Sequence, residues 1–599
     1  MTIFDILSLI CGLALFLYGM DLMGNGLKRS AGRKLKTILG QLTSSKLKGF
    51  LLGLAVTAII QSSSATTVMV VGFVNSGTML LSQAVGVIIG ANVGTAVTAW
   101  LTALNGIEGG SDATAFLSYL KPDAWMPILA LIGICLIMFA KKAKQTDMGT
   151  ILMGFAVLMV GMSLMSDSVS GLKESPEFAK ILLVFNNPIL GVLVGAVFTA
   201  IVQSSSASVG VLQALTVTGA ISYGTAMPIV LGQNIGTCIT AMISSVSANK
   251  NGKRAAAIHL YFNIVGVALW LALYYIIGLV LRETGVVDIF TWANKTTTNM
   301  WDIAIIHSVF KIVSVVLLWP FTKFLEKLAY LTIKGDDKKG DKFTAKLDER
   351  LLDTPSVALE NAKIVLMQMS SLATGSLKKS LSLLDNFDQK KADEIAKEEK
   401  LVDLYEDELG SYLVKLSSRP ITEHEGADVT KYLHMIGDFE RISDHAVNIM
   451  ESVLEMKDKG VVFSDYAKDE LNIMLSALDE ILTITDESFA NSDYKQASLV
   501  EPLEEVIDNL RDQIKYRHTK RLQNNLCSIE NGFILSDIIT NLERVSDHCS
   551  NIAGCLIEIG QKEKLDLHSY LHDIKQDDES YAEMEKLYKQ KYALAEKYI

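Results

Sequence analysis

The chain of 599 residues is long enough for several domains. Its net charge of −11 is unevenly divided: residues 1–340 carry 24 Lys and Arg against 15 Asp and Glu, whereas residues 341–599 carry 31 against 51. With a mean hydropathy of +0.31 and 20% charged residues, this division predicts an apolar membrane part followed by an acidic soluble part. The acidic charge argues against nucleic acid as a partner and against attraction of the second part to an anionic membrane surface.

Seven apolar stretches in the first part have the length of a membrane helix. The first, residues 3–23, lacks the basic start and the cleavage pattern of a signal peptide, so we predict a membrane helix. The other predicted spans are residues 80–104, 125–140, 149–165, 222–246, 255–281 and 303–320.

Two polar runs interrupt this apolar sequence. Gln-Ser-Ser-Ser occurs at residues 61–64 and again at 203–206, an offset of 142. The same offset relates Gly-Ala-Asn-Val-Gly-Thr at 90–95 to Gly-Gln-Asn-Ile-Gly-Thr at 232–237. We therefore predict two membrane repeats, residues 1–141 and 149–282. Stretches 47–75 and 189–218 are predicted to be hairpins that enter the membrane and return, because straight crossings would leave the polar runs in hydrocarbon.

The charges of the loops predict how the chain is threaded. Basic residues follow the first helix and lie at 141–144 and 250–254, so these loops are predicted to be cytoplasmic, whereas loops 105–123 and 167–180 are predicted to lie outside. With re-entrant hairpins each repeat has three crossings, and the second repeat is therefore inverted relative to the first. The span 303–320 returns the chain to the cytoplasm, where a charged linker, 334–347, leads to the soluble part.

The polar runs have the chemistry of an ion site. A helix that begins at membrane depth offers free backbone N–H groups to an anion, while freed carbonyls, serine hydroxyls and the glutamine amide oxygen suit a small cation. No Lys or Arg lies in the apolar core of either repeat, so we expect an anion to rely on helix dipoles, hydroxyls and bound cations. These features predict cation-coupled transport of an anion. Close helix packing by small residues is the alternative for one run, and the duplication favours a binding site.

Three single ionisable residues lie in or near the spans. Asp21 is interpreted as a water-facing residue near a helix end, with an ion or proton relay as the alternative. His259 and His307 are interpreted as core or interface residues rather than ligands. The sequence contains no nucleophile–base pair, P-loop or ATP-binding motif, so neither an enzyme nor a primary pump is predicted.

The soluble part, residues 348–599, is predicted to be helical and is also duplicated. Glu-Arg-x-Ser-Asp-His at 440–445 recurs at 543–548, and Glu-x-x-x-Asp at 399–403 recurs at 504–508. Carboxylates at i and i+4 share a helix face, and clustered carboxylates repel unless cations lie between them. This pattern predicts two helical bundles with metal ligands, the alternative being a solvated acidic face or pairing with Arg441 and Arg544. His445 and His548 are either further ligands, or residues that support the ligands or pack the helices together. The predicted metal ligands are Glu399, Asp403, Glu440, Asp444, Glu504, Asp508, Glu543 and Asp547.

With these motifs, residues 1–320 resemble the type II sodium-dependent phosphate cotransporter family, although Gln233 replaces the alanine of the second Gly-Ala-Asn motif. Residues 350–560 resemble the PhoU domain, a pair of three-helix bundles, in the order found in bacterial members. The resemblance implies an all-α fold in a bacterial inner membrane, inorganic phosphate and sodium as ligands, and divalent or iron-type metal ions in the tail. The implied binding residues are Gln61, Ser62, Ser63, Ser64, Gln203, Ser204, Ser205 and Ser206, supported by Asn92, Thr95, Asn234 and Thr237.

Two functions follow from this resemblance. The first is a secondary transporter that couples sodium to phosphate by alternating access of the two repeats, with a tail that regulates transport or senses metal or phosphate. The second is a membrane-anchored phosphate or metal sensor that acts through its tail. Both functions allow a regulatory protein partner and a homo-oligomer, and both place the protein in the lipid bilayer.

Overall fold

The computed structural model describes residues 2–40, 45–107, 122–174, 187–335, 347–524, 526–560 and 579–595. Within these ranges the chain is helical apart from connecting turns and one isolated β-bridge between Ser222 and Thr297. The chain divides into two compact units, Met1–Val357 and Ala358–Ile599. Residues 108–121 of the predicted loop 105–123, residues 175–180 of the predicted loop 167–180 and residues 336–346 of the predicted linker 334–347 lie outside the described residues.

The helices of the first unit match the predicted spans and hairpins closely. They are α1 (Ile3–Gly40), α2 (Lys46–Ile60), α3 (Ser63–Asn75), α4 (Leu81–Gly94), α5 (Ala96–Ala103), α6 (Pro122–Phe139), α7 (Ala143–Ser170), α8 (Pro188–Val202), α9 (Ser205–Thr216), α10 (Tyr223–Gly236), α11 (Cys238–Ser244), α12 (Lys250–Glu283), α13 (Ile289–Lys295), α14 (Met300–Leu318) and α15 (Thr322–Thr332). Six stretches of the described residues are long and apolar enough to cross a membrane, and they include six of the seven predicted spans. The seventh, predicted at 125–140, is the shorter apolar helix Ala124–Phe139.

The duplicated sequence gives duplicated helices. α2 and α8 begin and end 142 residues apart, and α3, α4 and α5 are followed at the same offset by α9, α10 and α11. Within each repeat the first hairpin helix packs closely against the helix that carries the Asn-Gly-Thr motif: a Cβ on Gly90 would lie 1.9 Å from the carbonyl of Phe50, and one on Gly232 would lie 2.0 Å from that of Val192. Glycine is therefore required at both positions, because any side chain would collide with the neighbouring backbone.

Each polar run is the tip of a helical hairpin. The Thr57 hydroxyl donates to that of Thr66 at 3.0 Å, and the Thr199 hydroxyl donates to that of Ser208 at 2.8 Å. In a continuous helix, residues nine apart would be separated by about 13 Å, so the chain must fold back at the tip. α2 and α8 have 15 residues each, which makes them about 22 Å long, whereas the hydrocarbon core is about 30 Å thick. Neither helix is therefore long enough to cross the hydrocarbon core by itself.

The first helices of the two repeats pack along each other in opposite directions. A Cβ on Gly12, Gly19 or Gly26 of α1 would lie within 3 Å of Met165, Leu158 or Ile151 of α7, respectively. Partner numbers fall along α7 as they rise along α1, so the helices are antiparallel. Around this contact lies an apolar core drawn from both repeats and from α14, including the fully buried Phe16, Met162 and Ile303.

Helix α1 extends beyond its predicted end at residue 23 and continues to Gly40. The Gly24-Asn25-Gly26 sequence does not break the helix, since a Cβ on Gly24 would lie 3.1 Å from the Ile60 carbonyl and Gly26 packs against Ile151. Tertiary packing here overrides the low helix propensity of glycine. As a result Lys28 and Arg29, predicted to follow the helix, are part of it, and Arg29 donates to Asp147 at 2.8 Å.

The segment that follows the linker belongs to the first unit, although the predicted soluble domain begins at residue 348. Asn75 at the end of α3 donates to the Asp348 carboxylate at 2.8 Å, and Arg350 donates to the Ser244 carbonyl at the end of α11, also at 2.8 Å. Leu351 and Leu352 are buried. We call residues 348–353 the clasp segment, because these contacts connect helices of both repeats.

The second unit is built from two sets of three long helices. The first set is α16 (Pro355–Ser382), α17 (Gln389–Ser417) and α18 (Glu423–Lys459), and the second is α19 (Asp465–Asn491), α21 (Val500–Gln523) and α22 (Ile529–Gly560), with a short α20 (Tyr494–Ala497) and a final α23 (Glu579–Lys591). Each set presents buried apolar residues at helical spacing, such as Phe439 of α18 and Phe489 of α19, whose rings lie 5.6 Å apart.

Candidate functional site

The two Gln-Ser-Ser-Ser runs, 142 residues apart in sequence, line one cavity of about 200 Å³. The tips of the two hairpins therefore meet at this cavity, which all eight residues of the two runs line. Helix α1 supplies the remaining wall together with Ile60. The residues that line the cavity are Met20, Asp21, Gly24, Asn25, Lys28, Ile60, Gln61, Ser62, Ser63, Ser64, Gln203, Ser204, Ser205 and Ser206.

The glutamine of each run has a strained backbone. Gln61 and Gln203 adopt the left-handed conformation, with φ of 59° and 57°. The backbone N–H of each glutamine closes the preceding helix by donating to the carbonyl of Thr57 or Thr199 at 2.7 Å. For a residue other than glycine this conformation costs roughly 1–2 kcal/mol. The strain is present at both copies, although glycine would adopt the same backbone conformation without it.

The first serine of each run begins the second helix of the hairpin. The Ser62 hydroxyl accepts from the Ala65 N–H at 3.1 Å, and the Ser204 hydroxyl accepts from the Ala207 N–H at 3.2 Å. Because these serines cap their helices, the cavity is lined by the N-terminal turns of both α3 and α9. Free N–H groups and the positive ends of two helix dipoles favour an anion there.

The glutamine side chains of the two tips differ. Gln61 is buried, its amide oxygen accepts from the Thr98 hydroxyl at 2.9 Å, and its amide N–H group donates to the Ala58 carbonyl. Gln203 is exposed. The amide oxygen of Gln61 is thus already bonded to protein, which leaves hydroxyls and backbone groups as the main polar groups of the first tip.

Helix α1 brings charges to the cavity that the sequence analysis did not expect. Asp21, interpreted as a water-facing residue, lines the cavity and accepts from Asn25 at 3.0 Å. Lys28 lines it as well, so the expectation that an anion would meet no lysine or arginine is wrong for this cavity. The sequence pattern that indicates these charges is the spacing of residues 21, 25 and 28, which places them on one helix face. The pattern was missed because the helix was predicted to end at residue 23.

The residues predicted as supporting ligands are not among those that line the cavity. The Thr95 hydroxyl donates to the Ala91 carbonyl at 3.3 Å and the Thr237 hydroxyl to the Gln233 carbonyl at 2.9 Å. Asn234 donates to the Val230 carbonyl at 2.8 Å, so these three side chains bond within their own helices. Asn92 instead accepts a hydrogen bond from Lys311, a buried lysine in the predicted span 303–320 that the sequence analysis did not single out.

In the tail, the first predicted metal set is partly brought together. Glu399, Asp403 and Asp444 each offer a carboxylate oxygen within 4.8 Å of the others. Burial raises the pKa of Glu440 to about 7, assisted by Asp444 and by Glu406, and burial beside Asp403 and Asp444 raises the pKa of Glu399. A cluster that disfavours its own charge in this way fits a cation with oxygen ligands.

The second predicted metal set does not fit a metal ion in the same way. Arg511 lies between its members, with its guanidinium 2.6 Å from both Asp508 and Glu543. Arg511 occupies the position that corresponds to Glu406 at the offset of 105. Asp547 pairs with Arg544 at 3.2 Å, as the alternative interpretation anticipated. A protein cation therefore already fills the centre of this set.

His445 and His548 lie at equivalent positions and stack on each other, with ring centroids 5.6 Å apart. Nδ1 of His445 is 2.7 Å from the side-chain oxygen of Asn541, and Nδ1 of His548 is 2.9 Å from Asp438. These contacts connect α18 to α22. Of the two roles left open for these histidines, the geometry favours helix packing.

Comparison with known proteins gives two family matches along the chain. A family model described as Na+/Pi-cotransporter matches residues 15–167 and 170–289, and a model of the PhoU domain matches residues 366–453 and 471–556. The Escherichia coli (strain K12) protein named "Putative inorganic phosphate export protein YjbB" is 25% identical over 92% of this chain and 97% of its own length. The Bacillus subtilis protein YqeW, named as uncharacterized, is 32% identical over 53% of this chain and 95% of its own length.

Two further matches cover shorter stretches. The human sodium-dependent phosphate transport protein 2B is 42% identical over 85 residues, which are 14% of this chain and 12% of that protein. The crystal structure of the regulatory protein PhoU from Streptococcus pneumoniae aligns with 35% of this chain and 99% of its own, at 21% identity and a TM-score of 0.31. On the family models and the relatives that match along its length, the chain belongs to the Na+/Pi-cotransporter family and carries a C-terminal PhoU domain.

Proposed function

We propose that this protein moves inorganic phosphate across a membrane, that sodium drives the movement, and that the two repeats expose the central cavity to each side in turn. The observation that carries the proposal is the single cavity lined by both hairpin tips. Two helix N-termini and the Lys28 ammonium favour the phosphate charge, whereas hydroxyls, carbonyls and the Asp21 carboxylate suit sodium. The antiparallel packing of α1 and α7 supports an inverted relation of the repeats.

In this proposal the membrane is the bacterial inner membrane, the tail lies in the cytoplasm, and it regulates transport. The direction of net flux is set by the gradients, and the name of the E. coli relative favours phosphate export. We also propose that the tail holds one divalent or iron-type metal ion, at Glu399, Asp403 and Asp444 with Glu440 beside them.

The proposal is tested with the full chain in proteoliposomes, by measuring flux of labelled phosphate with a sodium gradient and with an equal potassium gradient. We expect sodium-driven accumulation. We also expect Ser63→Ala and Ser205→Ala each to weaken phosphate binding roughly ten- to hundredfold, the effect of losing a hydrogen bond to a charged group. Ser76→Ala is the matched control, because this buried serine at the end of α3 bonds to the Phe73 carbonyl and does not line the cavity.

Full transport by either serine variant would contradict a site shared by the two tips. Flux that is equal in sodium and potassium would contradict sodium coupling while leaving phosphate transport intact. A folded protein that moves no phosphate, and whose tail still responds to phosphate or metal, would favour the sensor function instead.

A further inference from the structure

Helix α14 carries a lysine, Lys311, that solvent does not reach. Its side chain is 3% exposed, and it lies in the stretch Met300–Thr332 that is long and apolar enough to cross a membrane. A lysine at the centre of a membrane helix is energetically costly, so such a residue persists where it serves transport or a structural bond. The partners of the ammonium distinguish these two roles.

The Lys311 ammonium is held by oxygen atoms of Asn92. It donates to the backbone carbonyl of Asn92 and, at 3.0 Å, to its side-chain oxygen. Asn92 belongs to the Gly-Ala-Asn-Val-Gly-Thr motif of the first repeat. Carbonyl and amide oxygens are the hard ligands that a small cation such as sodium takes when the backbone of a transporter is freed. The ammonium therefore fills an oxygen site that a free cation could otherwise occupy.

No ion pair explains this lysine within the described part of the chain. The titratable groups that interact with the ammonium there are Cys238, His259 and His307, and none is a carboxylate. Among the described residues, Nδ1 of His259 and both ring nitrogens of His307 have no hydrogen-bond partner. Within that part of the chain the positive charge is thus balanced by dipoles, as the charge of a transported cation would be.

The site also connects the two repeats. Asn92 donates to Asn263 of α12 at 2.9 Å, and Asn263 lies 3.3 Å from the sulfur of Cys238. Cys238 directly follows the second motif, Gly-Gln-Asn-Ile-Gly-Thr. A charge at Lys311 can therefore influence both motifs.

The equivalent asparagine of the second repeat has different partners. Asn234 donates to the Val230 carbonyl of its own helix, and no lysine is among its bonds in the described residues. The two motifs are thus alike in sequence, but among the described residues a lysine bonds to the asparagine of the first motif and not to that of the second.

We propose that the Lys311 ammonium is a fixed cation of the transport cycle, which takes the place of one free cation at Asn92 and lowers by one the number of sodium ions moved with each phosphate. This inference rests on the proposed function for the identity of the transported ions. It predicts that a neutral side chain at residue 311 opens the Asn92 oxygens to sodium.

The test compares the wild-type chain with Lys311→Met, which removes the charge at similar length, and Lys311→Arg, which keeps it. Lys327→Met removes an exposed lysine of α15 and is the matched control. Two quantities are measured. The first is the sodium gradient that just balances a fixed phosphate gradient in proteoliposomes, which gives the coupling ratio. The second is the sodium-induced rise of the melting temperature in detergent, which requires no transport.

We expect K311M to gain one sodium ion in the coupling ratio and a larger sodium-induced rise in melting temperature, while K311R and Lys327→Met match the wild type. An unchanged coupling ratio and an unchanged sodium effect in K311M would overturn the inference. If the wild type moves phosphate without sodium, the proposed sodium coupling is wrong. If K311M then requires sodium for transport, the inference that Lys311 acts as a fixed cation is still supported. If neither protein transports phosphate, the sodium-induced rise in melting temperature is the deciding measurement. A larger rise in K311M than in the wild type supports the inference, and an equal rise overturns it.

Lys311→Gln covers the case in which K311M does not fold, because the glutamine amide can still donate to Asn92. If every neutral variant fails to fold while K311R folds, Lys311 serves only to hold α14 against α4, and the inference is wrong.

Discussion

At the scale of single residues, the hairpin tips show a conflict between stability and function. Gln61 and Gln203 hold a left-handed backbone that glycine would adopt without strain. A protein selected only for stability would have glycine at both positions. Each glutamine follows the last turn of one helix and precedes the serine that caps the next, so its side chain lies at the cavity wall.

We therefore expect Gln61→Gly and Gln203→Gly to stabilise the fold and to impair transport. Removing the left-handed strain favours the folded state by roughly 1 kcal/mol, and the loss of the hydrogen bonds that the amide makes offsets part of this gain. The melting temperature in detergent should rise most for Gln203→Gly, because the Gln61 amide is bonded to Thr98 and Ala58. Phosphate flux should fall in both variants.

Ser492→Gly is the matched control for strain. Ser492 is the third described residue other than glycine with a left-handed backbone, at φ 53°, and it lies in the second unit at the end of α19. Its replacement should leave phosphate flux unchanged. If Gln203→Gly keeps full transport, the amide of Gln203 has no role in the cavity.

In the tail, Glu440 predicts a dependence on pH. Its pKa is raised to about 7 by burial and by Asp444, so the folded state binds the proton more tightly than the unfolded state does. The stabilisation by this proton is complete below the ordinary pKa of 4.5 and is lost as the pH rises to about 7. At pH 8, without metal, Glu440→Gln should slow hydrogen exchange in peptides of α17 and α18 relative to the wild type. At pH 4 the two proteins should exchange alike.

Glu451→Gln, on the exposed side of the same helix, should have no such effect. Addition of Mn²⁺ at pH 8 should protect the wild type more than Glu440→Gln, since the cation offsets the charge that the variant lacks. Faster exchange in Glu440→Gln at pH 8 would mean that the ionised carboxylate stabilises the metal-free tail.

At the scale of helices, the sequence was most informative where a pattern is repeated. The offset of 142 located both hairpins, because equivalent sequences form equivalent helices, and in the structure the tips of the two hairpins line one cavity. The extent of α1 was not predictable in this way, since the helix continues through Gly24 and Gly26 only by packing on Ile60 and Ile151. Lys28 could not be assigned to the cavity without that extension.

Arg511 shows that repeated sequence does not always give equivalent sites. The eight carboxylates at constant spacing predicted two metal sites. Whether a carboxylate cluster can accept a metal ion depends, however, on a residue outside the motif. Glu406 on α17 and Arg511 on α21 occupy equivalent positions with opposite charge. The guanidinium contacts Asp508 and Glu543, so it does in the second set what a metal ion would do in the first.

The tail of the wild-type chain should accordingly bind one Mn²⁺ ion, and Arg511→Glu should bind two, because the substitution gives the second set the charges of the first. Equilibrium dialysis followed by metal analysis measures the number of ions per chain. Arg544→Glu is the control, since Arg544 is 59% exposed and contacts Asp547 at 3.2 Å and Glu543 at 3.8 Å from outside the set, whereas Arg511 lies between its members. Two ions in the wild type, or none in either protein, would contradict this assignment.

At the scale of the whole molecule, both duplicated parts have become asymmetric through one protein cation. Lys311 is bonded to the asparagine of the first membrane motif and not to that of the second. Arg511 fills the second carboxylate set and leaves the first without an equivalent. Duplication supplied two similar polar sites in each part, and one cationic side chain in each part makes the surroundings of the two sites differ: Arg511 lies within a repeat and Lys311 lies outside both membrane repeats. The motifs alone do not reveal this, because both cations lie outside them.

The clasp segment determines where the membrane unit ends, and it leads to a last prediction. A chain that ends at Val357 keeps the bonds of Asp348 to Asn75 and of Arg350 to Ser244, whereas one that ends at Lys334 loses them. It also loses the burial of Leu351 and Leu352, each worth about 1.5–3 kcal/mol. We expect the longer chain to move phosphate and to keep its melting temperature in detergent, and the shorter one to melt earlier. Arg350→Ala in the full chain should reproduce part of this loss. If the two truncated chains melt alike, the clasp does not stabilise the unit; if the longer one is folded but moves no phosphate, transport requires the tail and the sensor function gains support.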